Sequence, residues 1–235
     1  MKKTMFLICS VLTCLLPSTL SAGESYQFVR MWPTLQQPWY FNLLNGIAVD
    51  DDQYVYVVDT DNDRVLKFTA DGQFISQWGS SGSEPVQFAY PEGIATGPDG
   101  HVYVADSWNN RVQKFKKTGE FINQWRCQTT YGESPFMPSG ISVDGSGNVF
   151  VVDWQGQRAI KFDRNGSFLS IAGDYNTGGA EHYIFAGAAA TDEGLLYVCD
   201  PDNHCVHKFS ASGRHLSTWG NKGTGEGAFD FPSGI

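Results

Sequence analysis

Residues 45–68, NGIAVDDDQYVYVVDTDNDRVLKF, recur 47 positions later as residues 92–115, EGIATGPDGHVYVADSWNNRVQKF. The same step continues along the chain, and the glycine that opens each copy lies at Gly46, Gly93, Gly140, Gly187 and Gly234. Copies of identical length, without insertions, are typical of neighbouring units in one repeat architecture. We therefore place four complete repeats at about 45–91, 92–138, 139–185 and 186–232.

Each repeat is predicted to contain four short strands. In the first repeat they lie at about 46–50, 53–59, 64–69 and 73–78, separated by turn-forming residues. Apolar residues occupy both faces of the second strand, so each sheet must be covered on both sides. Radial repetition of four-stranded antiparallel sheets meets this requirement. The predicted fold class is therefore all-β, a β-propeller.

An aspartate and an arginine flank the turn between the second and third strands. Asp59 and Arg64 can close this hairpin as a directly opposed pair. One interpretation is a ring of charged contacts for a ligand. We favour a structural clamp, because residues that are identical in several copies serve the architecture, whereas binding usually uses differences between copies. The pair recurs as Asp106 with Arg111 and as Asp153 with Arg158.

Tryptophan ends the fourth strand in three of the repeats, at Trp78, Trp125 and Trp219. A large aromatic side chain at this position is expected to pack between neighbouring sheets. The third repeat has Ala172 instead, which predicts a local gap there.

The first two repeats, and the glycine-rich segment GNKGTGEGAFDFPSGI at residues 220–235, resemble the NHL repeat family. The resemblance extends over residues 26–235 and implies a propeller, with the four repeats forming part of a six-bladed ring. Members of this family include protein-binding and RNA-binding modules, extracellular sensor domains and an amidating lyase, so the resemblance does not settle function. Because the chain stops as a fifth repeat begins, we expect it to be a truncated form of a longer product. The alternative is closure of the four blades, with the N-terminal strand docking near Phe231 to Ile235.

The N-terminus has the pattern of a signal peptide. Lys2 and Lys3 precede an apolar run from Met5 to Leu16, and Leu20-Ser21-Ala22 fits a cleavage site after residue 22. We expect an exported protein, periplasmic or extracellular, with no transmembrane segment, because the apolar run is shorter than the roughly 20 residues that a span needs. Residues 23–44 would supply a strand, from Tyr26 to Trp32, and a connector.

Charge and cysteine content exclude some classes of protein. Without the signal peptide the chain carries 14 basic and 25 acidic residues, a net charge of −11, which opposes binding to nucleic acid. Three cysteines remain, Cys127, Cys199 and Cys205, too few for a disulfide framework.

The turns between the second and third strands differ from copy to copy, and together they form one rim of a propeller. Loops on a rigid scaffold are where binding residues concentrate. Trp108 and Trp154 can anchor a peptide or glycan, or each can cover the edge of its own blade. The candidate binding residues are Asp61, Asn62, Trp108, Asn109, Trp154, Gln155, Asp202 and His204.

The fourth repeat departs from the clamp pattern. Cys205 replaces the arginine and His207 lies two residues further along the same strand face, with Asp200 opposite. These three side chains are a candidate zinc site. The alternative is a degenerate copy that has lost its clamp. Nothing else in the sequence indicates a cofactor, and the candidate metals are zinc and calcium.

The sequence favours a binding module over an enzyme. The five histidines do not recur at the 47-residue step, and neither a nucleophile motif nor a phosphate-binding loop is evident. We interpret the chain as an exported, non-enzymatic module that binds a protein, peptide or glycan. One alternative is a fragment of a six-bladed lyase or hydrolase that lacks its catalytic blades. RNA binding is a third alternative, opposed by export and acidity.

Overall fold

The computed structural model describes residues 40–126, 136–173 and 185–235, and these residues form four separate four-stranded sheets, which we call blades 1 to 4. Blade 1 contains β1 Leu44–Val49, β2 Val55–Asp59, β3 Arg64–Phe68 and β4 Phe74–Trp78. Blade 2 contains β5 Pro91–Thr96, β6 His101–Asp106, β7 Arg111–Lys116 and β8 Phe121–Trp125. Blade 3 contains β9 Pro138–Val143, β10 Val149–Asp153, β11 Arg158–Phe162 and β12 Phe168–Ala172. Blade 4 contains β13 Ala188–Ala190, β14 Leu196–Asp200, β15 Cys205–Phe209 and β16 His215–Trp219.

Each blade is an antiparallel meander in which sequential strands are neighbours. All five residues of β2 are buried, as expected for a strand whose two faces are both apolar. The register pairs Asp59 with Arg64 and Val57 with Leu66. The predicted all-β, propeller-like fold is thus confirmed, whereas closure into a six-bladed ring stays a prediction.

The first strands of successive blades lie beside one another: β5 packs against β1 and β9, and β9 also packs against β13. This close approach explains the glycine that opens every repeat. A Cβ atom added at Gly46 would lie only 2.6 Å from the carbonyl oxygen of Glu92 in the next blade. Glycine is required here because a backbone atom, which cannot rotate away, occupies the space that a side chain would need.

The hydrophobic core lies between the blades. Tyr56 and Trp78 of blade 1 pack with Val104 and Phe115 of blade 2 in one buried cluster. Equivalent clusters join blade 2 to blade 3 and blade 3 to blade 4. Trp78 and Trp125 therefore pack between sheets, as their position in the repeat predicts. Trp219, which was expected to do the same, is 40% exposed and lies outside these clusters, because no described blade follows blade 4 to cover it.

Repeated lysines tie each blade to the next on the side away from the clamp turns. Lys67 Nζ donates to the carbonyl oxygen of Lys117 at 3.0 Å, and Lys114 Nζ donates to that of Arg164 at 3.0 Å. Each ammonium group also lies over a tyrosine ring of its own blade. The repeated lysine is therefore an architectural residue.

Several sequence-based expectations fall outside the described residues. They are the signal peptide, the strand from Tyr26 to Trp32, and Cys127. In the part of the chain that the structure describes, no helix has the length and apolar character needed to cross a membrane.

Candidate functional site

The candidate site is the rim at the clamp end of the blades. It consists of the turns at residues 60–63, 107–110, 154–157 and 201–204, and of the connector residues that lie against them, 40–43, 89–90, 136–137 and 230–231. Backbone hydrogen bonds join the two sets: Trp108 N–H donates to the carbonyl oxygen of Ala89, and Trp154 N–H donates to that of Met137, both at 3.0 Å. Turns and connectors therefore form one continuous surface, which we call the rim.

The aspartate–arginine pairs lie beneath the rim. Arg64 Nε donates to Asp59 Oδ2 at 2.7 Å, and Arg111 Nε donates to Asp106 Oδ2 at 2.7 Å. The equivalent distance from Arg158 Nε to Asp153 Oδ2 is 2.9 Å. All three aspartates are fully buried.

The buried aspartates also fix the connectors. Asp59 Oδ1 accepts the backbone N–H of Asn42 at 2.7 Å, and Asp106 Oδ1 accepts that of Ala89 at 2.8 Å. A carboxylate that is buried and saturated by internal donors holds the scaffold and is not available to a ligand. This arrangement supports the structural interpretation of the clamp.

Two amides that sequence reasoning assigned to ligand binding turn inward. Asn62 Nδ2 donates to both carboxylate oxygens of Asp59, and Asn109 Nδ2 donates to both of Asp106. Asn109 also donates to the carbonyl oxygen of Gly82 at 2.8 Å. These amides brace the clamp, although Asn62 remains exposed like Asp61, Gln155 and Asp202.

The two rim tryptophans are exposed. Trp108 is 63% exposed and Trp154 is 51% exposed, so neither is buried against the edge of its own blade. Trp108 stacks on Tyr90, with ring centroids 5.0 Å apart and an interplanar angle of 21°. Tyr40 and Phe231 are further exposed aromatic residues of the rim connectors. Several exposed aromatic side chains at one end of a domain are typical of an interaction surface.

The connectors hold bulky residues in the left-handed backbone region. Leu43, Tyr90 and Phe231 have φ of 57°, 53° and 58°, and they share one position in the 47-residue repeat. Such a conformation is an outlier for large side chains, and costs of order 1–3 kcal/mol are typical. Hydrogen bonds hold it in place: Tyr90 N–H donates to Asp63 Oδ1 at 2.9 Å, and Phe231 N–H donates to His204 Nδ1 at 3.0 Å.

His204 is thus occupied by the connector that follows blade 4. Its Nδ1 also lies 3.6 Å from Asp230 Oδ1. The ring is only partly exposed, which leaves its other edge as the part that can reach a ligand.

The cluster in blade 4 forms as the register predicts. Asp200 lies opposite Cys205, and Cys199 lies opposite Val206, so the two cysteine side chains point to opposite faces. The potential ligand atoms of Asp200, Cys205 and His207 lie within 4.8 Å of one another, and all three residues are buried.

Two sets of residues that contact the candidate site were not predicted from the sequence. Tyr90 was not predicted as a rim residue, although the bulky residues Leu43 and Phe231 at the same repeat position were a signal. His215 and Thr218 reach His207 from the next strand. The hairpin register, which places Thr218 opposite His207, could have indicated the second of these.

Comparison with protein families identifies the repeat. Residues 88–115, from the end of a connector through β7, match the family model described as NHL repeat. The chain contains an NHL repeat. The opening glycine and the repeated lysine recur at the 47-residue step in all four blades, and the clamp recurs in blades 1 and 3, so the other blades share its four-stranded architecture. No curated protein matches the sequence.

Solved structures similar to this NHL-repeat chain are propeller-like proteins. A virginiamycin B lyase from Staphylococcus aureus is 16% identical, with a TM-score of 0.58 over 74% of this chain and 54% of its own. A streptogramin B lyase is 18% identical, with a TM-score of 0.60 over 82% of this chain and 58% of its own. A protein of unknown function from Bacteroides caccae is 17% identical, with a TM-score of 0.55 over 74% of this chain and 60% of its own.

These similarities concern the fold. The NHL-repeat chain spans less than two thirds of the length of each of the three structures. One fold supports many activities, so the chemistry of the lyases does not transfer to this chain on identities of 16–18%.

Proposed function

We propose that this NHL-repeat chain is an exported, non-enzymatic binding module that recognises a protein, peptide or glycan through its rim. The observation that carries the proposal is the exposed indole of Trp108, which stacks on the half-buried ring of Tyr90. Trp154, in the neighbouring blade, adds a second exposed indole. Tryptophan and tyrosine are the residues most enriched among those that dominate binding energy.

Hydrogen bonds hold the part of the rim around Tyr90 in place. The connector that carries Tyr90 is fastened at both sides, because Ala89 N–H donates to Asp106 and Tyr90 N–H donates to Asp63. A side chain that is already held in place loses little conformational entropy when a ligand binds. The stacked pair is therefore a preorganised platform for the flat face of a sugar ring or for a peptide side chain.

The chemistry exposed on the rim favours recognition over catalysis. Its exposed side chains include the aromatic rings of Trp108 and Trp154, the primary amide of Gln155 and the carboxylates of Asp61 and Asp202. None of these five is a nucleophile paired with a base, which is the arrangement that covalent catalysis requires. The signal-peptide pattern of residues 1–22 supports export, and N-terminal sequencing of the secreted protein should begin at Gly23.

The proposal is tested by presenting the purified exported protein to a glycan array and a displayed peptide library. Ligands that are selected should bind at least tenfold more weakly to the double variant Trp108→Ala, Trp154→Ala, because those side chains form the platform. Phe168→Ala is the matched control. This residue is 53% exposed and lies at the far end of the β11–β12 hairpin, away from the rim. Equal affinity of the double variant and the wild type would contradict the proposal.

A further inference from the structure

Blade 4 has lost the cation that neutralises the clamp aspartate in the other three blades. Asp200 is fully buried, like Asp59, Asp106 and Asp153, but Cys205 stands where those blades have arginine. A buried carboxylate without a compensating positive charge is strongly destabilising. The chemistry around Asp200 must therefore supply another means of compensation.

The replacement side chains place metal-binding atoms around Asp200. Cys205 and His207 are two residues apart on β15, so they share one face of the sheet. Cys205 Sγ lies 3.3 Å from His207 Nε2, and His207 Nε2 lies 3.3 Å from Asp200 Oδ2. Thiolate, imidazole and carboxylate are the three ligand types that zinc uses in proteins.

The spacing fits a tetrahedral ion. With zinc bonds of about 2.3 Å to sulfur and about 2.0–2.1 Å to nitrogen and oxygen, adjacent ligand atoms lie about 3.3–3.6 Å apart. Both distances measured from His207 Nε2 agree with that edge length, being 3.3 Å. The third pair, Cys205 Sγ and a carboxylate oxygen of Asp200, lies within 4.8 Å and needs only a small movement to close.

The surroundings orient the ligands in the way that zinc sites require. His207 Nδ1 lies 2.8 Å from Thr218 Oγ1, which lies 2.8 Å from His215 Nε2. When His207 Nδ1–H donates to the Thr218 hydroxyl and that hydroxyl donates to His215, the lone pair of His207 Nε2 is directed at the cluster. Asn203 N–H and Nδ2 donate to the two oxygens of Asp200 at 3.0 and 2.9 Å, which fixes the carboxylate. Partners of this kind orient metal ligands, and a histidine that donates a hydrogen bond through its other ring nitrogen is also made more basic.

We propose that Asp200, Cys205 and His207 bind a zinc ion, which replaces the arginine clamp in blade 4. Three protein ligands leave a fourth position for water. Binding requires that the Cys205 thiol lose its proton to solvent. The bound ion would join β14 to β15 across the turn at residues 201–204, as the aspartate–arginine pair does in blades 1 to 3.

The test is metal analysis of the purified chain after zinc loading and removal of loosely bound ions. We expect about one equivalent of zinc in the wild type. Cys205→Ser should lose it, and Cys199→Ser, whose sulfur lies on the opposite face, should keep it. Cobalt in place of zinc should give a thiolate-to-metal charge-transfer absorption that is absent from Cys205→Ser.

A second variant separates loss of the site from loss of the fold. Cys205→Arg restores the residue found in the other blades, so this variant should fold, retain its melting temperature in chelator and bind no zinc. The wild type should show a lower melting temperature in chelator, because removal of a ligand that binds only the native state destabilises that state. A zinc-free wild type after loading, or zinc retained by Cys205→Ser, would overturn the proposal in favour of a degenerate clamp in which His207 donates to Asp200.

Discussion

The indole of Trp108 lies against the ring of Tyr90, with centroids 5.0 Å apart, and joins a turn of blade 2 to the connector that enters the same blade. Trp108→Ala removes an exposed partner of this stack. We expect the free energy of unfolding to fall by only about 1 kcal/mol, because stacking of an exposed indole contributes little. Affinity for a rim ligand should fall by about 2 kcal/mol, roughly 30-fold.

Chemical denaturation and titration of a selected ligand measure the two quantities on one protein sample. Phe168→Ala, which removes an aromatic side chain of similar exposure away from the rim, should change neither by more than about 0.5 kcal/mol. A Trp108 variant that loses stability and affinity in the same proportion would show that the indole is structural.

The clamp arginines should differ in their contribution to stability. Arg111 is 2% exposed and, besides Asp106, donates to the carbonyl oxygens of Ser83, Glu84 and Gln87. Arg111→Ala leaves buried acceptors unpaired, and we expect it to cost about 3–5 kcal/mol. The side chain of Arg64 is 19% exposed, so Arg64→Ala should cost about 1–3 kcal/mol.

Urea denaturation of both variants compares these contributions. Lys116→Ala serves as the control, because the ion pair of Lys116 with Glu120 is exposed and should contribute less than about 1 kcal/mol. Equal losses for Arg111→Ala and Arg64→Ala would argue against burial as the source of the difference.

The clamp could be derived from the sequence because its geometry is local. Asp59 and Arg64 are separated by one turn, and a strand alternates its side chains with a period of two, so the register follows from the spacing. The same logic placed Asp200 opposite Cys205. Elements whose partners lie within one hairpin were therefore predictable.

The details of the rim depend on contacts that the sequence does not encode locally. Polar residues in turns usually face solvent, yet Asn62 turns its amide to Asp59 because a buried carboxylate needs donors. Tyr90 reaches Trp108 only because its connector adopts a left-handed backbone. Such contacts between a connector and a turn require the packed structure.

The opening glycine of each repeat should tolerate no side chain. Gly46→Ala would place a Cβ atom 2.6 Å from the carbonyl oxygen of Glu92, and relief requires the inner strands of two blades to separate. We expect a loss of about 1–3 kcal/mol in the free energy of unfolding. Gly225→Ala is the control, because no atom lies within 4 Å of its added Cβ, and it should be neutral or slightly stabilising. A neutral Gly46→Ala would show that the blades can move apart freely.

The contribution of Lys114 to stability should depend on pH, because its partner Asp99 titrates. Burial by itself would raise the pKa of Asp99, but hydrogen bonds from Lys114, His101 and Tyr103 outweigh it and lower the pKa from 3.8 to about 2. A carboxyl group with a depressed pKa in the folded state stabilises the fold above its unfolded pKa. This stabilisation is lost as the pH falls through the folded pKa.

The stability difference between wild type and Lys114→Met should therefore be constant above about pH 4 and shrink as the pH falls to about 2. A residual difference at low pH would come from the hydrogen bond of Lys114 to the carbonyl oxygen of Arg164. Thermal unfolding at a series of pH values measures the stability difference between wild type and Lys114→Met. Lys116→Met is the control, because Lys116 lies in the same strand but is exposed. A difference that grows on acidification would contradict the assignment.

Ala172 occupies the position that Trp78 and Trp125 hold in blades 1 and 2, yet the structure shows no gap there of the kind that the sequence predicts. Ala172 is only 5% exposed and packs in a buried cluster with Phe185 and Phe209. The turn of blade 4 comes closer instead: a Cβ atom on Gly213 would meet the carbonyl oxygen of Ile171 and lie 3.5 Å from the Cα of Ala172. In blade 3 the equivalent glycine, Gly166, lies against the Trp125 ring.

Trp125→Ala and Ala172→Trp should therefore both lower the free energy of unfolding. Trp125→Ala removes a ring that packs against Tyr103 and Phe162, and the cavity should cost about 3–5 kcal/mol. Ala172→Trp forces a large ring between two backbones already in contact, and this overpacking should cost about 1–3 kcal/mol. Denaturant titration of both variants decides the point. A rise in stability for Ala172→Trp would mean that blades 3 and 4 leave room for the ring, and that the close approach of Gly213 to Ile171 is not a feature of the folded protein.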